Sequence, residues 1–233
     1  GSLKTHQTVF RLPWNGSAAD SCLKAKIMET PRVLLIHGLH TSPAVMKRLG
    51  ARLAAHGFAP HYFGYASTRA PLAEHAAALA DFLRREQLAP CHFVAHSLGG
   101  LLLRQLARTA PELMQGRAVT IGTPHQGSLA ARRLRRLMPP LIGGAWQGGL
   151  DGSLPAEPLP IACGLVAGTR RAGLGRLFAR LPKPNDGTVA LSEAAFCGCP
   201  MLLVPHGHSG MLFDAAVAEQ TAHFLRYGRF QAA

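Results

Sequence analysis

Hydrophobic positions along the chain follow two alternating patterns: short apolar runs and longer stretches in which apolar residues recur at helical spacing. The runs are typical of strands buried on both faces, and they are residues 33–36, 58–63, 91–96, 117–121, 161–167 and 201–204. The stretches with helical spacing predict helices over 43–56, 71–85 and 215–227, and a further helix that begins directly after Ser97. This alternation predicts an α/β fold with a mostly parallel central sheet flanked by helices on both faces.

The rest of the chain shows weaker patterns. Residues 1–30 have no sustained periodicity, and we interpret them as a lead-in that contains at most one helix. Residues 126–160 are rich in Gly, Pro and Arg, and we interpret them as a lid-like insertion. No internal repeat is present, and 233 residues suit one domain of this class, so we predict a single domain over residues 1–233.

Five polar residues follow predicted strands directly or lie in the loops beyond them. They are His37, Ser97, His125, Asp186 and His208. In parallel sheets, ligands bind at the carboxyl ends of the strands, so we expect these five residues to share one edge of the sheet.

Ser97 lies where an apolar strand ends and a helix begins, in the sequence Ala95-His96-Ser97-Leu98-Gly99. The small residues two before and two after the serine leave room for a sharp strand–turn–helix elbow, which exposes the hydroxyl. The Leu98 amide lies in the first turn of the helix, where N–H groups are unpaired and the helix dipole favours negative charge. This pattern predicts a nucleophilic serine with an adjacent oxyanion donor.

A serine hydroxyl needs a histidine to accept its proton and a carboxylate to orient that histidine. Only His206 and His208 lie between the last predicted strand and the closing helix. We favour His208 because glycines on both sides give its loop freedom, whereas His206 directly follows Pro205 at the strand end.

Asp186 is the favoured carboxylate. It lies in the turn Asn185-Asp186-Gly187, where the following glycine lets the backbone bend and the side chain point inward. Asp151, in another turn, is the main competitor, and Glu193 is a weaker one.

The second oxyanion donor is expected after the first strand, at His37-Gly38-Leu39. Gly38 leaves space for a substrate oxygen, and the Leu39 amide is expected to face the Leu98 amide. We expect His37, Gly38 and His96 to border the substrate, with His37 acting mainly as a hydrogen-bonding residue and His96 mainly as a packing residue.

Five motifs in order resemble the α/β-hydrolase superfamily, and in particular its compact bacterial lipases and esterases with an Ala-His-Ser-x-Gly elbow. They are His37-Gly38-Leu39, Ala95–Gly100, Thr123-Pro124-His125-Gln126-Gly127, Asn185–Val189 and His206–Gly210, and the resemblance covers residues 31 to 228. It implies ester hydrolysis through an acyl-enzyme, no metal or other cofactor, and a small lid. Residues 128–160 do not resemble a known lid.

The net charge of +13 is the most unusual bulk property. Arginines concentrate in residues 129–138 and 170–183, in connections at the expected active-site edge. This placement favours an anionic or lipid ester substrate, or peripheral contact with an anionic membrane, and a solvated arginine-rich face is the alternative. We expect no nucleic-acid partner, because the arginines are not interleaved with aromatic residues and these make up only 6% of the chain.

Cysteine usage and the termini bear on the compartment. The chain has five cysteines, and an odd number spread through apolar runs disfavours a disulfide framework. Cys197-Gly-Cys199 lacks a second Cys or His pair at zinc-site spacing, so we expect no metal site. The N-terminus lacks the charged segment followed by an apolar segment that is typical of a signal peptide, and this favours a cytoplasmic location. A leader cleaved upstream of residue 1 is left open.

The sequence therefore predicts a serine hydrolase that cleaves carboxylic esters, with Ser97, Asp186 and His208 as catalytic residues and Leu39 and Leu98 as oxyanion donors. Acyl transfer or thioester hydrolysis on the same scaffold is the first alternative. A non-catalytic protein that binds anionic lipid is the second.

Overall fold

A computed structural model describes residues 30–232, and its centre is a six-stranded sheet in which every pair of neighbouring strands is parallel. The strands are β1 (Arg32–Ile36), β2 (Ala59–Phe63), β3 (His92–His96), β4 (Ala118–Ile121), β5 (Cys163–Gly168) and β6 (Met201–Val204), in the order β2-β1-β3-β4-β5-β6. The predicted α/β class and parallel sheet are confirmed.

Six helices flank or connect these strands in the described chain, and the hydrophobic spacing predicts the first three and the last of them. They are α1 (Pro43–Ala55), α2 (Leu72–Arg85), α3 (Leu98–Thr109), α4 (Leu129–Leu137), the short α5 (Leu191–Ala194) and α6 (Ala215–Tyr227). Local chemistry explains their bounds. Proline occupies the first turn of α1, the Asp214 side chain accepts the Val217 N–H at the start of α6, and Gly228 ends α6 at φ 73°.

Successive residues of each central strand contribute to two different cores. Leu34, Ile36 and Phe93 pack with α2 and α3, whereas Val33 and Val94 pack with α1 and α6 on the opposite face. Strands buried on both faces contain few polar residues, which is why these segments read as continuous apolar runs. The rigid sheet holds the loops at its carboxyl edge.

The predicted insertion, residues 126–160, contains α4 and several short helical turns. Helix α4 begins after Ser128, whose hydroxyl accepts the Ala131 N–H at 3.1 Å. Only Ala130 and Ala131 of this helix are buried, and its arginines face outward. The insertion therefore covers the sheet edge with a small apolar inner face and a basic outer face.

Some sequence predictions fall partly or wholly outside this description. The predicted lead-in and Cys22 lie outside the described residues, apart from Thr30 at the end of the lead-in. The four described cysteines are free thiols that form no disulfide: Cys91, Cys163, Cys197 and Cys199. Among residues 30–232, every helix is too short or too polar to span a lipid bilayer.

Candidate active site

Ser97 occupies the sharp turn between β3 and α3 in a conformation that is uncommon for a side-chain-bearing residue. Its φ and ψ are 53° and −121°, and its N–H donates to the Ile121 carbonyl at 2.9 Å. A residue in such a sparsely populated region costs on the order of 1–3 kcal/mol, so the surrounding structure must stabilise it. This is the backbone geometry that the elbow motif predicts.

The two glycines around the elbow are required by close backbone approach. A Cβ at Gly99 would lie 2.7 Å from the His37 carbonyl oxygen and 2.8 Å from that of Ile36. A Cβ at Gly38 would lie only 2.9 Å from the Ser97 Cβ. Both contacts are shorter than normal packing allows, so β1 and the elbow fit together only with glycine at these positions.

The structure brings Ser97, His208 and Asp186 into one line. The His208 Nε2 lies 3.0 Å from the Ser97 Oγ, and its Nδ1 lies 2.7 Å from the Asp186 Oδ2. His208 and Asp186 are 7% and 1% exposed. The carboxylate fixes the Nδ1–H tautomer, which leaves Nε2 free to accept the serine proton.

Backbone amides hold the Asp186 carboxylate in place. Its Oδ1 accepts the Thr188 N–H at 2.8 Å and the Val189 N–H at 2.7 Å, and Gly187 makes the turn at φ 88°. These two bonds occupy one carboxylate oxygen and direct the other towards His208. The loop thus orients the carboxylate before any substrate binds.

The competing residues make other contacts. The His206 Nε2 pairs with the Asp214 carboxylate at 3.0 Å. Asp151 accepts the Gly148 and Ser153 N–H groups within its own turn, and Glu193 accepts the Leu129 N–H at 2.6 Å at the start of α4. None of these three residues forms a hydrogen bond with Ser97 or His208 among the described contacts.

His96 lies behind His208 and is nearly inaccessible. Its Nε2–H donates to the His208 carbonyl at 3.3 Å, and its ring centroid lies 4.8 Å from that of His208. Burial, followed by the nearby His208, lowers the pKa of His96 to about 3. His96 therefore stays neutral near pH 7 and supports the His208 backbone. It also lines the cavity above Ser97, and its expected border with the substrate stays a prediction.

His37 and Gly38 do not line the cavity above Ser97. The His37 Nε2 accepts the Tyr65 N–H at 3.3 Å, its Nδ1 lies 2.9 Å from the Gly38 carbonyl, and its ring stacks on Tyr65. Burial lowers the pKa of His37. Their expected border with the substrate is therefore not seen, and both residues instead build the loop that carries Leu39.

His125 also lies away from the cavity, although it shares the predicted sheet edge. Its Nε2 lies 3.0 Å from the Thr120 Oγ1, and its ring stacks on Phe196. Burial, with a smaller contribution from Arg104, lowers the pKa of His125 to about 3. It is a neutral core residue.

Leu39 and Leu98 lie on the two loops that meet beside Ser97. Leu39 lines the cavity, and Leu98 is the first residue of α3. Within residues 30–232, neither backbone amide donates a hydrogen bond to another group of the protein. Two unpaired amides beside a serine hydroxyl are suited to bind a developing oxyanion.

A mainly apolar cavity of about 300 Å³ opens above Ser97 and His208. One wall comes from α4 and the rest of the insertion, including Leu134, Ile142 and Leu150. A second part of the wall comes from residues 173–178, with Leu174 and Phe178. The sequence reading missed this second wall, although apolar residues spaced three and four apart within an arginine-rich loop are a signal for it.

The described part of the chain contains no group of three His, Cys, Asp or Glu side chains arranged to hold a metal ion. The site itself offers the Ser97 hydroxyl, the His208 imidazole and the unpaired backbone amides of Leu39 and Leu98.

Several solved structures resemble this one, all at low sequence identity. The mature form of the Bacillus licheniformis lipase BlEst2 has a TM-score of 0.67 at 18% identity, over 86% of this chain and 93% of that chain. The carboxylesterase CesB (YbfK) from Bacillus subtilis has a TM-score of 0.56 at 18% identity, over 86% and 85% of the two chains. The RedJ thioesterase from the prodiginine pathway of Streptomyces coelicolor has a TM-score of 0.59 at 13% identity, over 87% and 91%.

These structures share the fold with this protein. A search of curated protein sequences found no match. A family model described as the alpha/beta hydrolase fold matches residues 31–147, which is just over half of the chain and includes β1 to β4, the elbow and α4. The chain belongs to the alpha/beta hydrolase fold family.

Proposed function

We propose that the protein is a serine hydrolase that cleaves carboxylic esters through an acyl-enzyme intermediate. The observation that carries this proposal is the line of Ser97, His208 and Asp186, with distances of 3.0 and 2.7 Å between reacting groups. A hydroxyl is a weak nucleophile alone, and this arrangement supplies both the proton acceptor and the group that orients it.

In the first half of the reaction, the Ser97 Oγ attacks the ester carbonyl carbon while His208 Nε2 takes the hydroxyl proton. The carbonyl oxygen becomes an oxyanion and accepts hydrogen bonds from the Leu39 and Leu98 amides. Asp186 stabilises the imidazolium of His208 without taking its proton. His208 then donates that proton to the departing alkoxide, so an alcohol leaves and the acyl group remains on Ser97.

Water completes the cycle. His208 Nε2 accepts a proton from water as its oxygen attacks the acyl carbonyl carbon, and a second oxyanion forms in the same place. When this intermediate collapses, the proton returns to the Ser97 Oγ and a carboxylic acid leaves. Each proton removed by His208 is returned, so no external acid or cofactor is consumed.

The cavity walls favour an apolar acyl group. Leu134, Ile142 and Phe178 offer carbon surface, and burying apolar area contributes roughly 25 cal/mol per Å². Lipases and carboxylesterases among the structurally similar proteins are consistent with this substrate class.

The direct test is Ser97→Ala assayed on p-nitrophenyl esters. We expect kcat to fall by at least about 10³-fold, because the nucleophile is lost while the fold keeps its shape. Ser209→Ala is the matched control, since this serine lines the same cavity next to His208 and has no role in the mechanism. Turnover by Ser97→Ala at the rate of the unmodified protein would contradict the proposal.

Two further measurements separate the related activities. Labelling by a fluorophosphonate probe, followed by peptide mass spectrometry, is expected to modify Ser97 and to fail in Ser97→Ala. Product analysis with oxygen esters, thioesters and added alcohols identifies the acyl acceptor. Free acid from oxygen esters supports the proposal, whereas exclusive use of thioesters or exclusive transfer to alcohols would replace it.

A further inference from the structure

Two surface segments beside the cavity, residues 129–138 and 170–183, combine positive charge with exposed apolar side chains. We call them together the basic rim. The first segment comprises α4 and the residue after it, and the second runs from the end of β5 towards Asp186. Neither the family assignment nor the proposed ester chemistry explains their composition.

The charge of the basic rim is one-sided. The two segments hold nine Arg and Lys residues and no Asp or Glu, in a chain whose net charge is +13. They are Arg132, Arg133, Arg135, Arg136, Arg170, Arg171, Arg176, Arg180 and Lys183. None of them takes part in an ion pair found among residues 30–232. Most of the net charge is therefore concentrated in these two segments, and the one carboxylate whose pKa a rim arginine affects is Glu193, near Arg132, among the described residues.

Exposed apolar side chains are concentrated in the same place. Of the eight large hydrophobic residues that are exposed in the described chain, five belong to the basic rim: Leu129, Leu137, Met138, Leu174 and Leu177. Leu174, Leu137 and Leu177 are the most exposed of the eight, at 75%, 69% and 68%. An exposed group of this kind is characteristic of an interaction surface.

The two segments form one continuous surface around the cavity mouth. A Cβ placed on Gly175 would lie 3.0 Å from the Ala130 Cβ, so the second segment packs directly against α4. Ala130 and Leu134 from the first segment and Leu174 and Phe178 from the second all line the cavity. A partner bound to the basic rim would consequently lie over the opening above Ser97.

We infer that the basic rim docks onto the surface of an anionic lipid bilayer. Arginines are attracted to negatively charged headgroups, while leucines among them enter the boundary between headgroups and acyl chains. A nucleic acid would use the arginines but offers no apolar layer for exposed leucines. Docking in this orientation would present the cavity mouth to the bilayer. The inference concerns binding and stands whether or not ester hydrolysis is established.

The test is vesicle flotation of the full chain. One set of vesicles contains phosphatidylcholine alone, and the other contains equimolar phosphatidylcholine and phosphatidylglycerol. We expect co-flotation with the anionic vesicles only, and release at high salt, because salt screens the attraction between exposed charges. Ser97→Ala should float as the unmodified protein does. Vesicle binding can therefore be established even if the proposed ester hydrolysis fails its own test.

Paired variants locate the surface. Arg132→Gln combined with Arg136→Gln should weaken partitioning by about tenfold or more, since each surface charge contributes about 1 kcal/mol. Lys47→Gln combined with Arg48→Gln is the matched control: it removes the same charge from exposed positions of α1, on the opposite face of the sheet, and should leave binding unchanged.

A second pair tests the apolar component. Leu137→Ser combined with Leu177→Ser should also weaken flotation, whereas Leu203→Ser, at an exposed position of β6, should not. Three results would overturn the inference. The first is equal binding of the protein to neutral and anionic vesicles, and the second is an equal loss of vesicle binding in the two charge-pair variants. The third is full vesicle binding by the leucine-pair variant together with binding of duplex DNA as strong as that of anionic vesicles. The last result would identify a general polyanion-binding surface.

Discussion

The replacement of Asp186 by asparagine tests how the site sets the histidine tautomer. Asp186 Oδ1 accepts two backbone N–H groups, from Thr188 at 2.8 Å and Val189 at 2.7 Å, while Oδ2 lies 2.7 Å from His208 Nδ1. Asparagine has only one oxygen, and the two amides fix where it must lie. The alternative orientation would place an NH₂ group against two N–H donors, and each unsatisfied buried group costs about 1–3 kcal/mol.

Asp186→Asn therefore directs an NH₂ group at His208 Nδ1. The imidazole must then accept at Nδ1 and carry its proton on Nε2, so it points an N–H at the Ser97 Oγ instead of a lone pair. Such a ring cannot take the serine proton. The same exchange in a serine protease triad lowers kcat by about 10⁴-fold, which corresponds to about 5 kcal/mol of transition-state stabilisation.

The assay is kcat/KM on a p-nitrophenyl ester, with urea denaturation as the measure of folding. Asp186→Asn keeps both loop hydrogen bonds at the oxygen, so its free energy of unfolding should change far less than its activity. Asp151→Asn is the control, since its carboxylate also accepts N–H groups within a turn but does not reach His208. A folded Asp186→Asn protein that keeps a tenth or more of the activity would refute the reasoning.

Three further predictions concern histidines and one glycine of the site. His208→Gln should lower ester turnover by at least about 10³-fold, whereas His206→Gln should retain it; equal losses would mean that the proton acceptor is misassigned. Gly38→Ala places a methyl group 2.9 Å from the Ser97 Cβ and should cost about 1–3 kcal/mol of stability in urea denaturation; an unchanged midpoint would contradict the packing argument. Burial lowers the pKa of His125 to about 3, so below about pH 6.5 the unfolded chain binds more protons. Stability should therefore fall with pH from about 6.5 towards 3, by up to about 1.4 kcal/mol per unit for this residue, and less steeply in His125→Gln; equal slopes would exclude the contribution.

The sequence predicts the sheet and its helices well because burial on both faces leaves a strong pattern. The bounds of β6 and α6 coincide with the predicted ones, and the other strands differ by one or two residues. The elbow is also readable, because the close approach of β1 leaves no room for a Cβ at Gly99, and this constraint appears directly as residue type.

The choice between His206 and His208 depends on contacts that the sequence does not display. The two residues lie in one loop and have similar neighbours, so local composition gives only a preference. In the structure, the Asp214 carboxylate at the start of α6 lies 3.0 Å from the His206 Nε2. His206 therefore has a carboxylate partner of its own, other than Asp186. The cavity wall formed by residues 173–178 was not predicted, because its leucines lie within a loop rich in arginine, and that composition indicates an exposed charged surface.

Main-chain hydrogen bonds between the loops explain why spacing in sequence cannot give the site geometry. The His208 N–H donates to the Asp186 carbonyl at 3.0 Å, so the acid and histidine loops are joined through their backbones in addition to their side chains. The His96 Nε2–H donates to the His208 carbonyl at 3.3 Å and joins the elbow to the same unit. Because these contacts involve backbone groups at the reacting positions, they hold His208 on both sides and leave its ring aimed at Ser97. Residue type can nominate the three side chains, but their alignment also depends on contacts of the His208 main chain, which the residue type at position 208 does not reveal.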